Sequence, residues 1–139
     1  MTNIGNSQLL NTVINVNVKS QRPIYGKNYN LRKWCENPNN VYIGRRGIIL
    51  LPDAITGKKK RYPENDSIWA NKFKLNKDGN REEIIEKYEK YIIEKIKEEP
   101  EKYDLNKLVN KTLGCWCKPE PCHGDILLKL IKENNFLNI

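Results

Sequence analysis

The chain has 139 residues, 38% hydrophobic and 30% charged, with 25 Lys+Arg against 17 Asp+Glu for a net charge of +8. A chain of this size buries roughly two-thirds of its unfolded surface in one domain and needs no disulfide scaffold. Its longest apolar stretch, Ile48-Ile49-Leu50-Leu51, falls far short of the roughly 18 residues that cross a bilayer, which excludes a membrane helix.

Met1 to Ser7 is polar, with neither the basic nor the apolar region of a secretory signal. The expectation is an intracellular, cytoplasmic protein in reducing surroundings, neither secreted nor membrane-bound. The charge comes from 19 Lys and 6 Arg beside 19 Asn and 16 Ile. Codons for Lys, Asn and Ile are rich in A and T, so genome bias competes with selection for an anionic partner as its source. Residues 41–81 hold ten basic and four acidic residues, a net +6.

Residues 1–12 read as a flexible N-terminal segment, and 13–139 as a single α/β domain with an insertion at about 48–63. Val13 to Lys19 alternates β-branched with polar residues, the period of a strand with one covered face. After a Pro/Gly connection, Asn30 caps a short helix from Leu31 to Glu36 that carries Cys35 and stops at Asn37-Pro38. Val41-Tyr42-Ile43-Gly44 reads as a second strand, with Arg45-Arg46-Gly47 at its end. Ile48–Leu51 and Lys58–Tyr62 flank a turn at Thr56-Gly57, predicting a β-hairpin insertion.

From Ser67 to Lys74 an extended chain would place Trp69, Asn71 and Phe73 on one face, as a wall. Asn80 with Glu83 forms a capping-box pattern, opening a long helix whose Ile84, Ile85, Tyr88, Tyr91, Ile92 and Ile96 recur at helical spacing until Pro100. A short helical stretch at Leu105–Val109, a strand at Lys111–Cys117 and a helix at Asp125–Leu130 complete the order. That order predicts an α/β fold: a small, partly parallel sheet flanked by helices.

Chemistry concentrates in Cys115-Trp116-Cys117-Lys118-Pro119-Glu120-Pro121-Cys122-His123-Gly124-Asp125. This strand, proline loop and helix start would lie beyond the carboxyl ends of the strands, where open α/β folds bind ligands. Cys115, Cys117, Cys122 and His123 form a Cys-x-Cys-x4-Cys-His set of types and number suited to tetrahedral zinc. The competing arrangement needs no metal: Cys115 is a small buried apolar group, and Cys117, Cys122 and His123 line the mouth of a pocket. A helix N-terminus lowers a thiol's pKa, so Cys122 is a candidate nucleophile. His123, the chain's single histidine, is a candidate acid or base with Asp125 to orient it. Asp125 is equally explained by the helix dipole alone.

Five motifs resemble a family, the domain of unknown function 4326, found in bacteria, phages and large DNA viruses. They are Leu31-Arg32-Lys33-Trp34, Val41 to Arg45, Ser67 to Phe73, Lys77 to Glu83 and Cys115 to Asp125, spanning Asn30 to about Leu130. Asn71-Lys72-Phe73 stands where the family pattern has Asn-Pro-Phe. The last motif is also similar, more weakly, to a second uncharacterised family with Cys-His-Arg at a helix start, where this chain has Gly124 in place of Arg. The resemblance implies a fold and a site, without an activity.

Tyr42, Gly44, Arg45, Trp69, Asn71, Arg81 and Cys117 are the candidate ligand-binding residues, and His123, Asp125 and Cys122 the candidate catalytic ones. The set suits a nucleotide or another anionic small molecule: Trp69 to stack a base, Asn71 to read its edge, and Arg45, Arg81 and the helix N-terminus to hold phosphate. The expected activity is a nucleotide- or base-directed enzyme acting on an N-glycosidic bond. The alternative is a non-enzymatic, zinc-stapled module that binds nucleic acid through Arg45, Arg46, Lys58, Lys59, Lys60 and Arg61.

Overall fold

The computed structural model describes residues 11–137. Of the segment predicted to be flexible, residues 1–10 lie outside the described residues. Thr12 begins the first strand of the sheet, and Asn11 before it is tied down by its side chain: Nδ2 donates to the carbonyls of Leu108 (2.6 Å) and Lys111 (3.0 Å).

The fold is mixed α/β. Three parallel strands, β1 (Thr12–Asn15), β2 (Asn40–Tyr42) and β5 (Thr112–Cys115), form a sheet in the order β1-β5-β2, with Val13 and Val41 both in register with Leu113. Parallel strands need crossovers, and helices supply them. Helices α1 (Val18–Tyr25) and α2 (Leu31–Glu36) follow β1, and α3 (Arg81–Glu98) precedes β5 with a 3-10 turn at Leu105–Leu108 between them. Helix α4 (His123–Leu137) follows β5. The insertion is the predicted antiparallel hairpin, β3 (Ile49–Pro52) and β4 (Lys59–Tyr62), a separate two-stranded sheet.

Side-chain alternation along the strands divides the interior in two. Leu113 and Cys115 of β5, with Val13 and Val41, face a cluster built from Tyr88 and Ile92 of α3 and Leu127 and Ile131 of α4. Ile14 and Tyr42 face the opposite cluster of Val16, Tyr29, Leu31 and Trp34. Gly114 also points that way, and a Cβ there would stand 2.5 Å from Val16 Cγ1 and inside the Trp34 ring's contact distance. The central strand therefore has no room for a side chain at this position.

The Asn caps work as predicted. Asn30 Oδ1 accepts from Lys33 N–H, and Asn80 and Glu83 complete a reciprocal capping box. Helix α3 turns Ile84, Tyr88 and Ile92 fully inward, a stripe spaced by four, with burial worth about 1.5–3 kcal/mol per side chain before entropy is charged.

The N-terminal region differs from expectation. The strand ends at Asn15, and Val18 to Tyr25, the last part of the predicted strand and its connection, is a helix. Asn17 is its cap: Oδ1 accepts from Ser20 N–H at 2.8 Å, converting the alternating run into a helix start two residues after the sheet ends. Pro23 lies inside this helix, whose outer surface carries the exposed Ile24 and Tyr25.

Candidate active site beyond the parallel strands

A cavity of about 330 Å³ opens where β2 and β5 end. The chain leaving β2 contributes Gly44 and Arg45, the chain leaving β5 contributes Trp116 and Cys117, and the start of α4 contributes Cys122 and His123. The opposite side comes from Arg81, Ile84 and Ile85 at the start of α3 and from Asn71, Phe73 and Leu75 before it. Ile48 and Pro121 complete the rim. Parallel strands deliver their following loops to one end of the sheet, so segments distant in sequence meet there.

Electrostatically the cavity is one-sided. Arg45 and Arg81 line it and no carboxylate does, among the described residues. Arg45 also braces the wall: Nε donates to Asn71 O (2.9 Å) and Nη2 to Phe73 O (3.1 Å), pinning the segment before α3 to the end of β2. Arg81 Nη1 donates to Pro121 O at 3.2 Å, tying the start of α3 to the loop before α4. Each guanidinium has donors beyond these bonds for an anion.

The helix N-termini were expected to hold phosphate, but their donors are engaged internally. At α4, Cys122 N–H donates to Asp125 Oδ2 at 3.1 Å, and Gly124 N–H bonds the Cys122 sulfur. At α3 the capping box takes the same role. Attraction for an anion therefore falls to the arginines.

Asp125 does not line the cavity. Its carboxylate caps α4 and takes an ion pair from Lys118 Nζ across the proline loop. It fixes the turn that presents Cys122 and His123, rather than facing a ligand.

His123 is 7% exposed, its ring against Tyr88 with centroids 4.9 Å apart. Burial lowers its pKa to about 4, so the ring is neutral at pH 7. Its Nε2 lies 2.7 Å from Ile43 O, an acceptor-only group, which assigns the proton to Nε2 and leaves the lone pair on Nδ1.

Cys115 and Cys122 are buried with sulfurs 3.6 Å apart. Their ionisation is reversed from the expectation of a Cys122 thiolate. The S–H of Cys122, aided by the N–H groups of Lys118 and Cys117, stabilises a Cys115 thiolate and lowers its pKa below the ordinary thiol range, against the opposing effect of burial. Donating that proton and being buried push the Cys122 thiol above its ordinary range. The helix start alone did not reveal this, because the deciding partner is the other sulfur.

The four predicted zinc ligands do not converge: among the described residues no three His, Cys, Asp or Glu groups are placed to share an ion. His123 is turned to Ile43 O, and the strand ends at Cys115, so Cys117 does not repeat its orientation but lines the cavity.

Of the candidate residues, Gly44, Arg45, Asn71, Arg81, Cys117, Cys122 and His123 line this one cavity, and Tyr42 and Trp69 do not. Trp69 is buried edge-on against Tyr103, with ring centroids 5.7 Å apart. The segment holding it turns instead of extending. Ser67 Oγ accepts from Trp69 N–H, and Asn71 Oδ1 accepts from Phe73 N–H at 2.9 Å, so the Asn71 amide oxygen is engaged in the turn.

The aromatic walls are Phe73, which the sequence places on a wall with Trp69 and Asn71, and Trp116, to which it assigns no binding role. Tyr42 supports the first: its hydroxyl accepts from Trp116 Nε1–H (2.8 Å) and donates to Arg45 O (2.7 Å). Burial raises the Tyr42 pKa to about 12, which keeps that donor protonated.

With this geometry in hand, comparison with known proteins places residues 27–133 in one family, described as a domain of unknown function, DUF4326. The chain belongs to this DUF4326 family. It is similar to an uncharacterized 12.4 kDa protein in the nrdA-td intergenic region of Enterobacteria phage T4, 43% identical over 69 residues, covering 48% of this chain and 62% of the relative. It is also similar to uncharacterized protein R718 of Acanthamoeba polyphaga mimivirus, 36% identical over 104 residues, 67% of each chain. No solved structure matches it. The matched range contains every residue of the DUF4326 cavity. Among the described residues no helix is long and apolar enough to cross a membrane.

Proposed function

We propose that the cavity is a nucleotide- or base-directed active site, with the N-glycosidic bond as the bond acted on. One observation carries the reading: a cleft of ligand-binding size with two aromatic walls, Trp116 and Phe73, two arginines and no lining carboxylate among the described residues. A base stacks against indole or phenyl faces, and guanidinium groups pair with phosphate.

His123 is the proton-handling residue in this reading. In hydrolysis, water oxygen bonds to the anomeric carbon as the carbon–nitrogen bond breaks. The proton that water loses passes through Nδ1 to the leaving base. Asp125 acts as a positioning residue, through Lys118 and the α4 cap.

Calorimetric titration with the common mononucleotides, paired with chromatography for released base, tests the proposal. Saturable binding by wild type, weakened in Trp116→Leu, supports the site. Base release by wild type that is lost in a binding-competent His123→Gln supports the reaction. Indifference of wild type to every nucleotide overturns the site, and binding without base release overturns the reaction.

A further inference from the structure

A second hollow, of about 590 Å³, adjoins the cavity and shares Arg45 and Asn71 with it. Arg46, Lys72, Lys74 and Lys102 line it with a single carboxylate, Asp66. Asp66 accepts from the backbone N–H of Arg46 (2.7 Å), and none of these four cations forms an ion pair among the described residues.

Aromatic rings run between the two hollows. Phe73 lines the cavity and Tyr91 the groove, edge to face with centroids 6.3 Å apart. Lys72 Nζ lies 4.4 Å from the Tyr91 ring centroid, and Lys102 Nζ lies 5.5 Å from that of the buried Tyr103. Cations standing on rings beside a base-sized cavity form the alternating pattern of charge and stacking surface that follows a nucleic-acid strand.

We infer that this groove carries the phosphates of a single-stranded nucleic acid whose terminal or splayed base occupies the neighbouring cavity, so that the substrate class is a nucleotide within a strand. This rests on the nucleotide reading of the cavity. The charge suits the purpose: Arg45 lines both hollows, and Arg46, Lys72, Lys74 and Lys102 line the second, so phosphates following a base in the cavity lined by Trp116 and Phe73 would meet them. Single strands suit the site better than duplex, because a paired base cannot enter a cavity without leaving its stack.

The test is fluorescence anisotropy with a labelled single-stranded oligothymidylate of about twelve nucleotides, alongside thymidine monophosphate, a duplex of equal length and polyglutamate. Wild type should bind the strand more tightly than the mononucleotide. Its affinity should fall with salt by a log–log slope of roughly 0.7 per phosphate neutralised. Lys74→Ala with Lys102→Ala, both outside the cavity, should reduce that slope by about 1.4 and weaken strand binding about tenfold or more. Mononucleotide affinity should not change.

Strand and mononucleotide binding with equal affinity and equal salt slopes overturns the inference, as does a double variant that binds the strand like wild type. Equal binding of duplex or polyglutamate overturns the assignment to single strands. If the mononucleotide does not bind wild type, the cavity reading fails by itself. The strand titration still decides the groove: binding lost in the double variant supports it, and no strand binding overturns it.

Discussion

The turn from β5 to α4 and the hairpin turn between β3 and β4 both follow a strand and both carry conspicuous residues, yet they are held in opposite ways. The hairpin closes on itself. Asp53 Oδ2 accepts from Thr56 N–H (2.9 Å) and Ile55 N–H (3.2 Å), and Asp53 N–H donates to Lys58 O (2.8 Å). The β5–α4 turn has its own brace in Asp125 but is also held from outside. Asn15 of β1 donates to the carbonyls of Trp116 (3.2 Å) and Lys118 (2.8 Å), Arg81 of α3 reaches Pro121 O, and His123 reaches Ile43 O beyond β2. A locally closed turn can change alone, whereas one held by three other elements cannot move without them. Ligand chemistry that needs fixed geometry belongs on the second kind.

The largest expected effect comes from breaking the strand that delivers the site. Gly114→Ala forces a methyl group against Val16 and Trp34, so the sheet or α2 must shift. The predicted cost is about 3 kcal/mol, read as a lower urea midpoint with unchanged slope. Gly57→Ala in the hairpin meets no atom within 4 Å and strains only a positive φ of 75°, for about 1 kcal/mol. Equal losses at the two glycines would remove the contrast.

His123 gives the next effect, through pH. Its pKa is about 4 in the fold and about 6.5 in the unfolded chain, so between these values the unfolded chain binds the proton and the folded one does not. Stability is therefore full above about 6.5 and declines as pH falls toward 4, by about 3 kcal/mol in total. His123→Gln, unable to titrate, should flatten that part of the profile relative to wild type. Parallel profiles for the two proteins would show that the ring charges freely and that its site is open to water.

Tyr42→Phe takes one hydroxyl from a chain of two hydrogen bonds, leaving Trp116 Nε1–H and Arg45 O without it. A loss of about 1–3 kcal/mol is expected, together with weaker nucleotide binding as the Trp116 wall loosens. Retained affinity with the same loss of stability would make Tyr42 a support of the sheet alone.

How legible these features were in the sequence follows the same division. Both Asn caps and the hairpin depend on residues within a few positions of each other, and pattern alone located them. Asn17 capping α1 is equally local, but the preceding β-branched alternation and Pro23 argued for strand and loop. Trp69 leaves the wall expected of it, and Trp116 joins the cavity, because both lie where the chain turns: Ser67 and Asn71 bend the first segment, and β5 stops at Cys115 before the second. The His123–Ile43 bond joins residues 80 apart, and no spacing rule reaches that far. The Cys115–Cys122 pair lay within a recognised motif, but its proton sharing depends on how the proline loop folds back.

That pair yields a smaller and more local effect. Cys122→Ala removes the S–H that supports the Cys115 thiolate, so the lowered Cys115 ionisation should move upward, followed by thiolate absorbance in the ultraviolet against Cys115→Ala as the blank. An unmoved ionisation would credit the Lys118 and Cys117 amides with the whole effect.

The smallest expected change is at the hairpin's own charge. Lys58 and Lys59 are exposed, and Lys60 pairs with Asp53 at 3.7 Å, an exposed contact of little energetic weight. Alanine at Lys58 and Lys59 should leave both the unfolding midpoint and mononucleotide affinity where they are. Strand binding should lose only the weak, non-directional part of its salt dependence, less than at Lys74 and Lys102, which line the hollow adjoining the cavity. A loss as steep as that of the groove variant would move the strand's path onto the hairpin. The locally closed turn would then be an arm for nucleic acid, and the externally braced turn a separate pocket.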